Sequence, residues 1–215
     1  MVLGIYGASG LGREILELAF QINRVEKRWE GFIFIDDKPM QAVNGIAVYS
    51  YKEALTKYAG NIEVAIGVGE PATREKLYAK LSEDGISTPT LIHPSVYIPE
   101  TTKIGKGVTI QAGCFISCNV VIEDQVYIQP QANIGHDDIL KKGCVLSGMA
   151  NIGGNVTIGK YSYVGLSVAV KQGINIGEYS VVGMYSAVYK DIPDEIIAMG
   201  NPARAMKKNE GHKVF

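Results

Sequence analysis

The sequence offers little from which a membrane span, a disulfide framework or a metal centre could be built. No segment of its 215 residues approaches the roughly 18 uninterrupted apolar residues of a membrane-spanning helix. Its three cysteines, Cys114, Cys118 and Cys144, form neither a CxxC pair nor an even disulfide set. Three scattered histidines provide no His/Cys cluster for a metal ion. We therefore predict no membrane span, no disulfide and no metal.

A surplus of positive charge is also missing. Lys and Arg number 21 against 22 Asp and Glu, for a net charge of −1, so nothing favours a nucleic acid or an anionic membrane as partner. The first residues lack the charged region and the apolar run of about 7–15 residues of a secretory signal. These absences predict a cytoplasmic protein that binds no nucleic acid.

The most informative feature that is present is a six-residue repeat without a break in register. The aliphatic residues of the repeat are Ile92, Ile98, Ile104, Ile110, Ile116, Ile122, Ile128, Ile134, Leu140, Leu146, Ile152, Ile158, Val164, Val170, Ile176, Val182 and Val188. Neither the helical period of about 3.6 residues nor the strand period of 2 produces this spacing. A hexapeptide repeat predicts a parallel β-helix, in which three hexads, or 18 residues, close one triangular coil.

A second, smaller residue follows the repeated aliphatic residue by four positions in many hexads, as at Val120, Ala132 and Val156, and is predicted to point inward as well. Cys114 and Cys144 occupy this position, which makes them fillers of the core. Residues 18 apart stack on neighbouring coils, about 4.8 Å away. Because each coil buries its aliphatic residues only against its neighbours, the ends of the β-helix need capping.

The region before the repeat has the pattern of an α/β Rossmann-like half-domain. Strands are predicted over Val2–Tyr6, Gly31–Ile35 and Glu63–Val68, with a glycine turn and a helix after the first and Pro71 opening a helix after the third. We therefore predict two domains, residues 1–90 and 91–215.

The glycine turn of this half-domain is spaced GxxGxG, and a single half-domain is too small for a dinucleotide. Both facts favour a nucleoside diphosphate joined to another group, with Asp36 available to a ribose hydroxyl. A tight strand-to-helix turn without a ligand is the alternative.

One histidine stands out within the repeat. His136 precedes Asp137 and Asp138, and a register of 18 stacks it between Cys118 and Gly154. A base beside a carboxylate and a backbone N–H donor meets the geometry required for acyl transfer. The alternative is a surface histidine without a role. His93 is expected to be structural, and His212 belongs to a polar tail from Lys207 that is expected to be solvated.

Several motifs together resemble one family. In the first domain they are Gly7-Ala8-Ser9-Gly10-Leu11-Gly12-Arg13-Glu14, Phe34-Ile35-Asp36-Asp37 and Ala65-Ile66-Gly67-Val68-Gly69. In the second they are Leu91-Ile92-His93-Pro94-Ser95, Ile134-Gly135-His136-Asp137, Gly154-Asn155-Val156-Thr157-Ile158-Gly159 and Gly200-Asn201-Pro202-Ala203. The chain resembles the bacterial sugar O-acyltransferases related to sialic acid O-acetyltransferases, a group that includes 4-amino nucleotide-sugar N-acetyltransferases and has a left-handed β-helix of hexapeptide repeats.

The resemblance implies a homotrimer that uses acetyl-CoA, bound between neighbouring prisms, and no metal. It implies His136 as general base, Asp137 as its orienting carboxylate and Gly154 N–H as the donor to the acetyl carbonyl. It places acetyl-CoA near the turn Gly200-Asn201-Pro202-Ala203, with Arg204 as a phosphate partner. The residues implied for the nucleotide sugar are Gly7, Ser9, Gly10, Gly12, Asp36, Asp37 and Gly67.

The resemblance therefore predicts transfer of acetyl from acetyl-CoA to the amino group of a nucleotide-activated amino sugar, a step in the synthesis of polysaccharide or glycoconjugate precursors. One departure concerns the acceptor, because Val145 stands where relatives often carry a second histidine. O-acetylation of sialic acid or another sugar hydroxyl remains open. So does a role without catalysis, as a nucleotide-sugar-binding module or a trimeric scaffold.

Overall fold

A computed structural model describes residues 1–40 and 42–214; residues 41 and 215 lie outside it. The chain divides into two compact units. The first comprises Met1–Gly69 and Thr73–Leu91, and the second comprises Glu70–Ala72 and the chain from Ile92 onward. Within the described residues, no helix is long and apolar enough to cross a membrane.

The first unit is a twisted sheet with helices. Its elements are β1 (Val2–Tyr6), α1 (Gly10–Glu26), β2 (Gly31–Ile35), β3 (Ala42–Val43), β4 (Ile46–Tyr49), α2 (Tyr51–Lys57), β5 (Ile62–Ile66) and α3 (Pro71–Glu83). The strand order is β3-β4-β2-β1-β5, and all pairs are parallel except the hairpin β3–β4. β1 is buried along its whole length, as a central strand covered on both faces must be.

The Rossmann-like pattern predicted for this unit is confirmed, with three additional elements. β1 and β2 have the predicted bounds, and α3 begins at Pro71, but β5 ends at Ile66, before Val68. β3, β4 and α2 were not predicted, although the sequence carries a signal for each. Asn44-Gly45, with φ of 50° and 77°, is a hairpin turn, and Ser50 with Glu53 forms a complete capping box at the start of α2.

The second unit is the predicted left-handed β-helix, built from strands of two residues. Its first sheet contains β7 (Lys103–Ile104), β10 (Val121–Ile122), β13 (Ile139–Leu140), β16 (Thr157–Ile158) and β19 (Asn175–Ile176). Its second contains β6 (Leu91–Ile92), β8 (Thr109–Ile110), β11 (Tyr127–Ile128), β14 (Val145–Leu146), β17 (Tyr163–Val164), β20 (Val181–Val182), β22 (Ile196–Met199) and β23 (Arg204–Lys208). Its third contains β9 (Phe115–Ile116), β12 (Asn133–Ile134), β15 (Asn151–Ile152), β18 (Ala169–Val170) and β21 (Ala187–Val188).

The coils stack in the register that the hexapeptide repeat predicts. Strands pair in parallel with partners 18 residues away, as in Ile122 with Leu140 and Leu146 with Val164. The repeated aliphatic residues and the smaller residues four positions later form one continuous core. The third residue after the aliphatic one turns the corner in the left-handed region, as at Asp137 (φ 61°) and Gly143 (φ 68°). Gly, Asn and Asp adopt that conformation most readily.

The C-terminal residues are exposed at Lys207, Lys208, Glu210, Gly211 and Lys213, as expected of a solvated tail, but the segment is also bonded to the β-helix. β23 pairs with β22 in antiparallel fashion. The ring of His212 stacks on Tyr179 with centroids 4.0 Å apart, and its Nε2 lies 3.0 Å from Glu195 Oε1. The segment from Lys207 to His212 thus covers the last coils, the capping function that a β-helix end requires.

Candidate active site

His136 lies on the corner between β12 and β13 and is paired with the next residue. Its Nδ1 is 2.7 Å from Asp137 Oδ2. Both side chains remain accessible, at 47% and 43% of their full exposure. If Nδ1 donates its proton to this carboxylate, Nε2 keeps a lone pair that can accept a proton from a substrate.

Asp137 is also held from the coil below. Asn119, 18 residues earlier, donates from Nδ2 to Asp137 Oδ1 over 3.0 Å, and Asn119 N–H in turn donates to Thr101 Oγ1 over 2.9 Å. The hydrogen bonds from His136 and Asn119 lower the pKa of Asp137. Asn119 is not among the predicted site residues, although the register of 18 would have found it.

Gly154, one coil above His136, lies against the imidazole. A Cβ added at Gly154 would stand 2.4 Å from His136 Nε2 and 2.5 Å from Cε1, so only glycine fits there with the ring in this position. The coils are tied beside it by Asn155 N–H, which donates to the His136 carbonyl over 2.8 Å. No described residue accepts a hydrogen bond from Gly154 N–H. A donor beside a base can serve an oxyanion.

Asp138 is a buried carboxylate at this corner that the sequence analysis did not select. It is 0% exposed, and its oxygens accept from Gly135 N–H over 2.9 Å and from Val156 N–H over 2.8 Å. Burial raises its pKa to about 7, against the lowering effect of those two hydrogen bonds. The signal was present, because residue 138 is four positions after Ile134 and therefore points inward.

The predicted acetyl-CoA turn is docked on β21. Gly200 O accepts from Ala187 N–H over 3.0 Å, and Ala203 N–H donates to the Ala187 carbonyl over 2.8 Å. Ala187 lies three coils above the coil of His136, about 14 Å along the axis at roughly 4.8 Å per coil. Arg204 begins β23 and is exposed, with Nη1 donating to the Ala203 carbonyl.

The glycines predicted to bind the nucleotide sugar have two different structural roles. Gly7 (φ 109°), Gly12 and Gly67 pack backbone on backbone, because a Cβ on Gly12 would lie within contact of the Gly7 carbonyl oxygen and one on Gly67 would stand 2.8 Å from Gly12 Cα. Ser9 and Gly10 are exposed, and Ser9 makes no side-chain capping bond to α1. The first N–H groups of α1 therefore have neither an intrahelical acceptor nor a Ser9 cap, and such groups can bind an anion.

Asp36 stabilises this glycine turn. Its Oδ2 accepts from Ala8 N–H and its Oδ1 from Lys38 N–H, both over 2.9 Å. Asp37 is exposed and accepts a long hydrogen bond of 3.4 Å from Tyr6 Oη. Burial and the two aspartates raise the pKa of Tyr6 to about 12, so its hydroxyl keeps its proton.

The strand order puts the glycine turn at the place where open parallel sheets bind ligands. β2 and β5 lie on opposite sides of β1, so the turns after β1 and β5 leave a crevice between them. A concave region of about 610 Å³ begins at Asp36 and continues along Met40, Tyr49 and Glu53. Among the predicted residues of this unit, the structure brings together Gly7, Gly12, Gly67 and Asp36.

Val145, the position where relatives often carry a second histidine, is fully buried on β14. It presents no group to a substrate within a single chain. Within the described residues, no group of three or more His, Cys, Asp or Glu side chains is placed to hold a metal ion.

Comparison with known proteins agrees with both units. Residues 2–81 match the model of the PglD N-terminal domain family. Over this segment the resemblance drawn from the sequence motifs is confirmed.

Three solved structures match nearly the whole chain. The acetyltransferase domain of PglB from Neisseria gonorrhoeae, in complex with acetyl coenzyme A, is 27% identical with a TM-score of 0.89, covering 95% of this chain and 98% of that one. A single-residue variant of perosamine N-acetyltransferase from Caulobacter crescentus, in complex with CoA and GDP-perosamine, is 27% identical with a TM-score of 0.89, covering 97% and 98%. WeeI from Acinetobacter baumannii is 29% identical with a TM-score of 0.90, covering 96% and 100%.

A curated relative matches part of the chain. The acyl-[acyl-carrier-protein]–UDP-N-acetylglucosamine O-acyltransferase of Burkholderia thailandensis is 37% identical over 106 residues, which is 49% of this chain. The match spans 38% of that protein's length, and the corresponding protein of Stutzerimonas stutzeri is matched over 52%. The chain thus spans about half or less of the curated relatives that it matches.

Proposed function

We propose that this protein transfers the acetyl group of acetyl-CoA to an amino group on a nucleotide-activated sugar. The observation that carries this proposal is the His136 corner, where a histidine–carboxylate pair packs against Gly154 of the next coil of a β-helix. Solved proteins of the same fold and similar length bind acetyl coenzyme A, CoA and GDP-perosamine, and one is a perosamine N-acetyltransferase. Both kinds of substrate would therefore find a counterpart here.

In this reaction His136 acts as the general base. Its Nε2 takes a proton from the sugar amine as the nitrogen attacks the thioester carbonyl, and the charge on the imidazolium is balanced by Asp137 at 2.7 Å. Asn119 keeps the carboxylate in place. The imidazolium then returns the proton to the departing CoA thiolate, so that a C–N bond replaces the C–S bond.

Gly154 N–H supplies the second element of the site. The tetrahedral intermediate carries a negative charge on the former carbonyl oxygen, and a fixed N–H donor beside it stabilises that charge. CoA would extend from here along the β-helix toward the Gly200-Asn201-Pro202-Ala203 turn and Arg204, and residues 91–215 would form the acetyltransferase domain.

Residues 1–90 would bind the nucleotide sugar. The exposed start of α1 at Ser9 and Gly10 would offer N–H groups to the diphosphate, and the concave region that begins at Asp36 would accommodate the nucleoside, with the exposed Asp37 as a further partner. In this assignment Gly7, Gly12 and Gly67 bring the turn and the helix close enough for the phosphates to reach those N–H groups.

A charge placed at the start of α1 tests this assignment. The space around Gly10 is open, with only Arg13 Nη2 at 4.0 Å from an added Cβ. Gly10→Asp should raise the KM for the nucleotide sugar about 10-fold or more by repulsion of the diphosphate, and should leave the KM for acetyl-CoA unchanged. Gly10→Ala, which adds bulk without charge, is the matched control and should behave as wild type. Equal KM values for all three proteins would contradict the assignment.

A homotrimer is the assembly we propose. Exposed apolar side chains line one corner of the β-helix, where a register of 18 stacks Met184 on Leu166 and Tyr185 is 74% exposed. An apolar patch of this kind marks a protein interface. Sedimentation should give three chains of 23.2 kDa, and the double variant Leu166→Glu, Met184→Glu should dissociate them. The control Val25→Glu, at an exposed apolar position of α1, should not. A stable and active wild-type monomer would refute the trimer.

Screening nucleotide sugars tests the function itself. The wild-type protein would be incubated with acetyl-CoA and a panel of UDP-, GDP- and dTDP-linked amino sugars, and the CoA thiol released would be measured. We expect release with at least one amino sugar and none with the corresponding sugar that lacks the amine. Release with that hydroxyl sugar alone would identify an O-acetyltransferase, and a protein that binds nucleotide sugar without releasing thiol would be a binding module.

A further inference from the structure

The hydrogen bonding between coils is interrupted at the turn that carries His136. In the third sheet, β12 pairs with β9 and β15 with β18 over two residues each, but β12 pairs with β15 only at Asn133 and Asn151. Ser117 and Gly153 donate to the carbonyls one coil above them, over 3.1 and 3.0 Å. Gly135, at the equivalent position between them, donates to no backbone carbonyl among the described residues.

The side chain of Asp138 takes the place of that carbonyl. One of its oxygens accepts from Gly135 N–H over 2.9 Å, and the other accepts from Val156 N–H, one coil higher, over 2.8 Å. Packing does not explain this carboxylate, because valine fills the same inward position one coil below and one coil above, at residues 120 and 156. A buried carboxylate is costly unless it is hydrogen bonded, and here both oxygens are bonded to backbone N–H groups.

We propose that Asp138 is a positioning residue that sets the separation between the His136 imidazole and Gly154 N–H. Gly135 directly precedes His136, and Val156 follows Gly154 by two residues, so a single carboxylate fixes both sides of the site. The inference rests on the proposed acetyl transfer, in which His136 takes the proton of the amine that attacks the thioester carbonyl and Gly154 N–H binds the oxygen of the same carbonyl. Reacting groups lose much of their effect when displaced by about 1 Å.

The surroundings of Asp138 predict how stability depends on pH. The charged groups that act on it are His136 and Asp137, both on its own turn, and the inward neighbours above and below are valines. Its pKa is raised from the usual 3.8 to about 7. Between about pH 4 and 7 the folded protein therefore holds a proton that the unfolded chain has lost, and stability falls as the pH rises through this range. A variant without this carboxylate should not show that decrease in stability.

Two variants and one control test the proposal. Asp138→Val restores the residue type of the neighbouring coils, so it should melt no lower than wild type, yet kcat should fall about 10- to 100-fold with the KM for acetyl-CoA within about two-fold. Asp138→Asn should be intermediate, since a carboxamide accepts one N–H and opposes the other. Ser162→Ala removes a different buried polar group from an inward position, where its hydroxyl donates to the Gly159 carbonyl, and should leave kcat unchanged.

Each outcome has one meaning. The proposal is supported if Asp138→Val is stable but has a low kcat, and if hydrogen exchange of its Gly135 amide is altered. The decrease in stability between about pH 4 and 7 should also be absent from this variant. A wild-type kcat in Asp138→Val overturns it and leaves the acetyl transfer intact. The proposal is also overturned if kcat falls in Asp138→Val only in proportion to a lower melting temperature, and if Ser162→Ala shows the same decrease. Absence of transfer by the wild-type protein would instead refute the proposed function.

Discussion

Replacement of His136 by alanine is expected to lower kcat by roughly 10²–10⁴-fold, the usual contribution of a general base. The imidazole is half exposed on a corner of the β-helix and contributes nothing to the aliphatic core, so its loss should leave the melting temperature and the affinity for CoA close to wild type. Steady-state kinetics on the amino sugar identified by the thiol assay, together with CoA binding by calorimetry, measure both quantities.

Asp137→Asn provides the graded comparison. It removes the charge that stabilises the imidazolium while retaining an acceptor for His136 and a partner for Asn119, so kcat should fall less than in His136→Ala. A neutral amine is itself nucleophilic, and the base then serves mainly to remove the proton after attack. A His136→Ala enzyme with near-normal kcat would therefore refute His136 as the base without refuting acetyl transfer. One that failed to assemble would indicate a structural histidine.

The second large effect is expected from Gly154→Ala. The added methyl would stand 2.4 Å from His136 Nε2, so the ring must move away from residue 154. Displacement of the base and loss of the aligned N–H should together lower kcat by about 10²–10³-fold, with a smaller effect on the KM for the nucleotide sugar. Kinetics with both substrates at saturation separate these parameters.

Gly159→Ala is the control for damage to the β-helix. An added Cβ there would stand 2.5 Å from Glu178 N, a backbone clash on a turn away from His136. It should lower the melting temperature while leaving the kcat of the folded fraction unchanged. If Gly154→Ala kept full kcat, the position of Gly154 against the base would have no catalytic role.

The fold could be predicted from the sequence to different extents in its two parts. The β-helix was predictable because each coil repeats the same constraint, an aliphatic residue such as Ile134 inward every six residues, and the constraint leaves one register. β3, β4 and α2 carry only local signals, such as the Asn44-Gly45 turn and the Ser50–Glu53 capping box, without a period to reinforce them. The C-terminal hairpin was missed because its polar residues cap the β-helix rather than fill it.

The part of the candidate site that depends on the stacking of residues 18 apart could be predicted from the sequence. The spacing of 18 predicted that Gly154 stacks on His136. The structure confirms this, because a methyl group added at Gly154 would clash with the imidazole. Asp138 and Asn119 were missed for a different reason. Their importance lies in hydrogen bonds to backbone N–H groups and to a neighbouring carboxylate, which depend on side-chain direction as well as on register.

The roles of the first-unit glycines could not be separated from the sequence. The motif groups Gly7, Gly10 and Gly12 together, but only the folded structure distinguishes Gly12, which packs against the Gly7 carbonyl, from Gly10, which faces open space. The distinction decides which substitution tests ligand binding and which would only disrupt the turn.

The most direct test of the central claim is the mass spectrum of the nucleotide sugar after incubation with isotope-labelled acetyl-CoA, with wild type and His136→Ala compared side by side. We predict that the wild-type product gains one labelled acetyl group on the sugar, that mild alkali leaves it in place because it is an amide, and that His136→Ala forms the same product far more slowly. Release of the label by mild alkali would show an ester and contradict N-acetylation. Equal rates for the two proteins would contradict the role of His136, and no labelled sugar from any member of the panel would contradict the acetyl transfer itself.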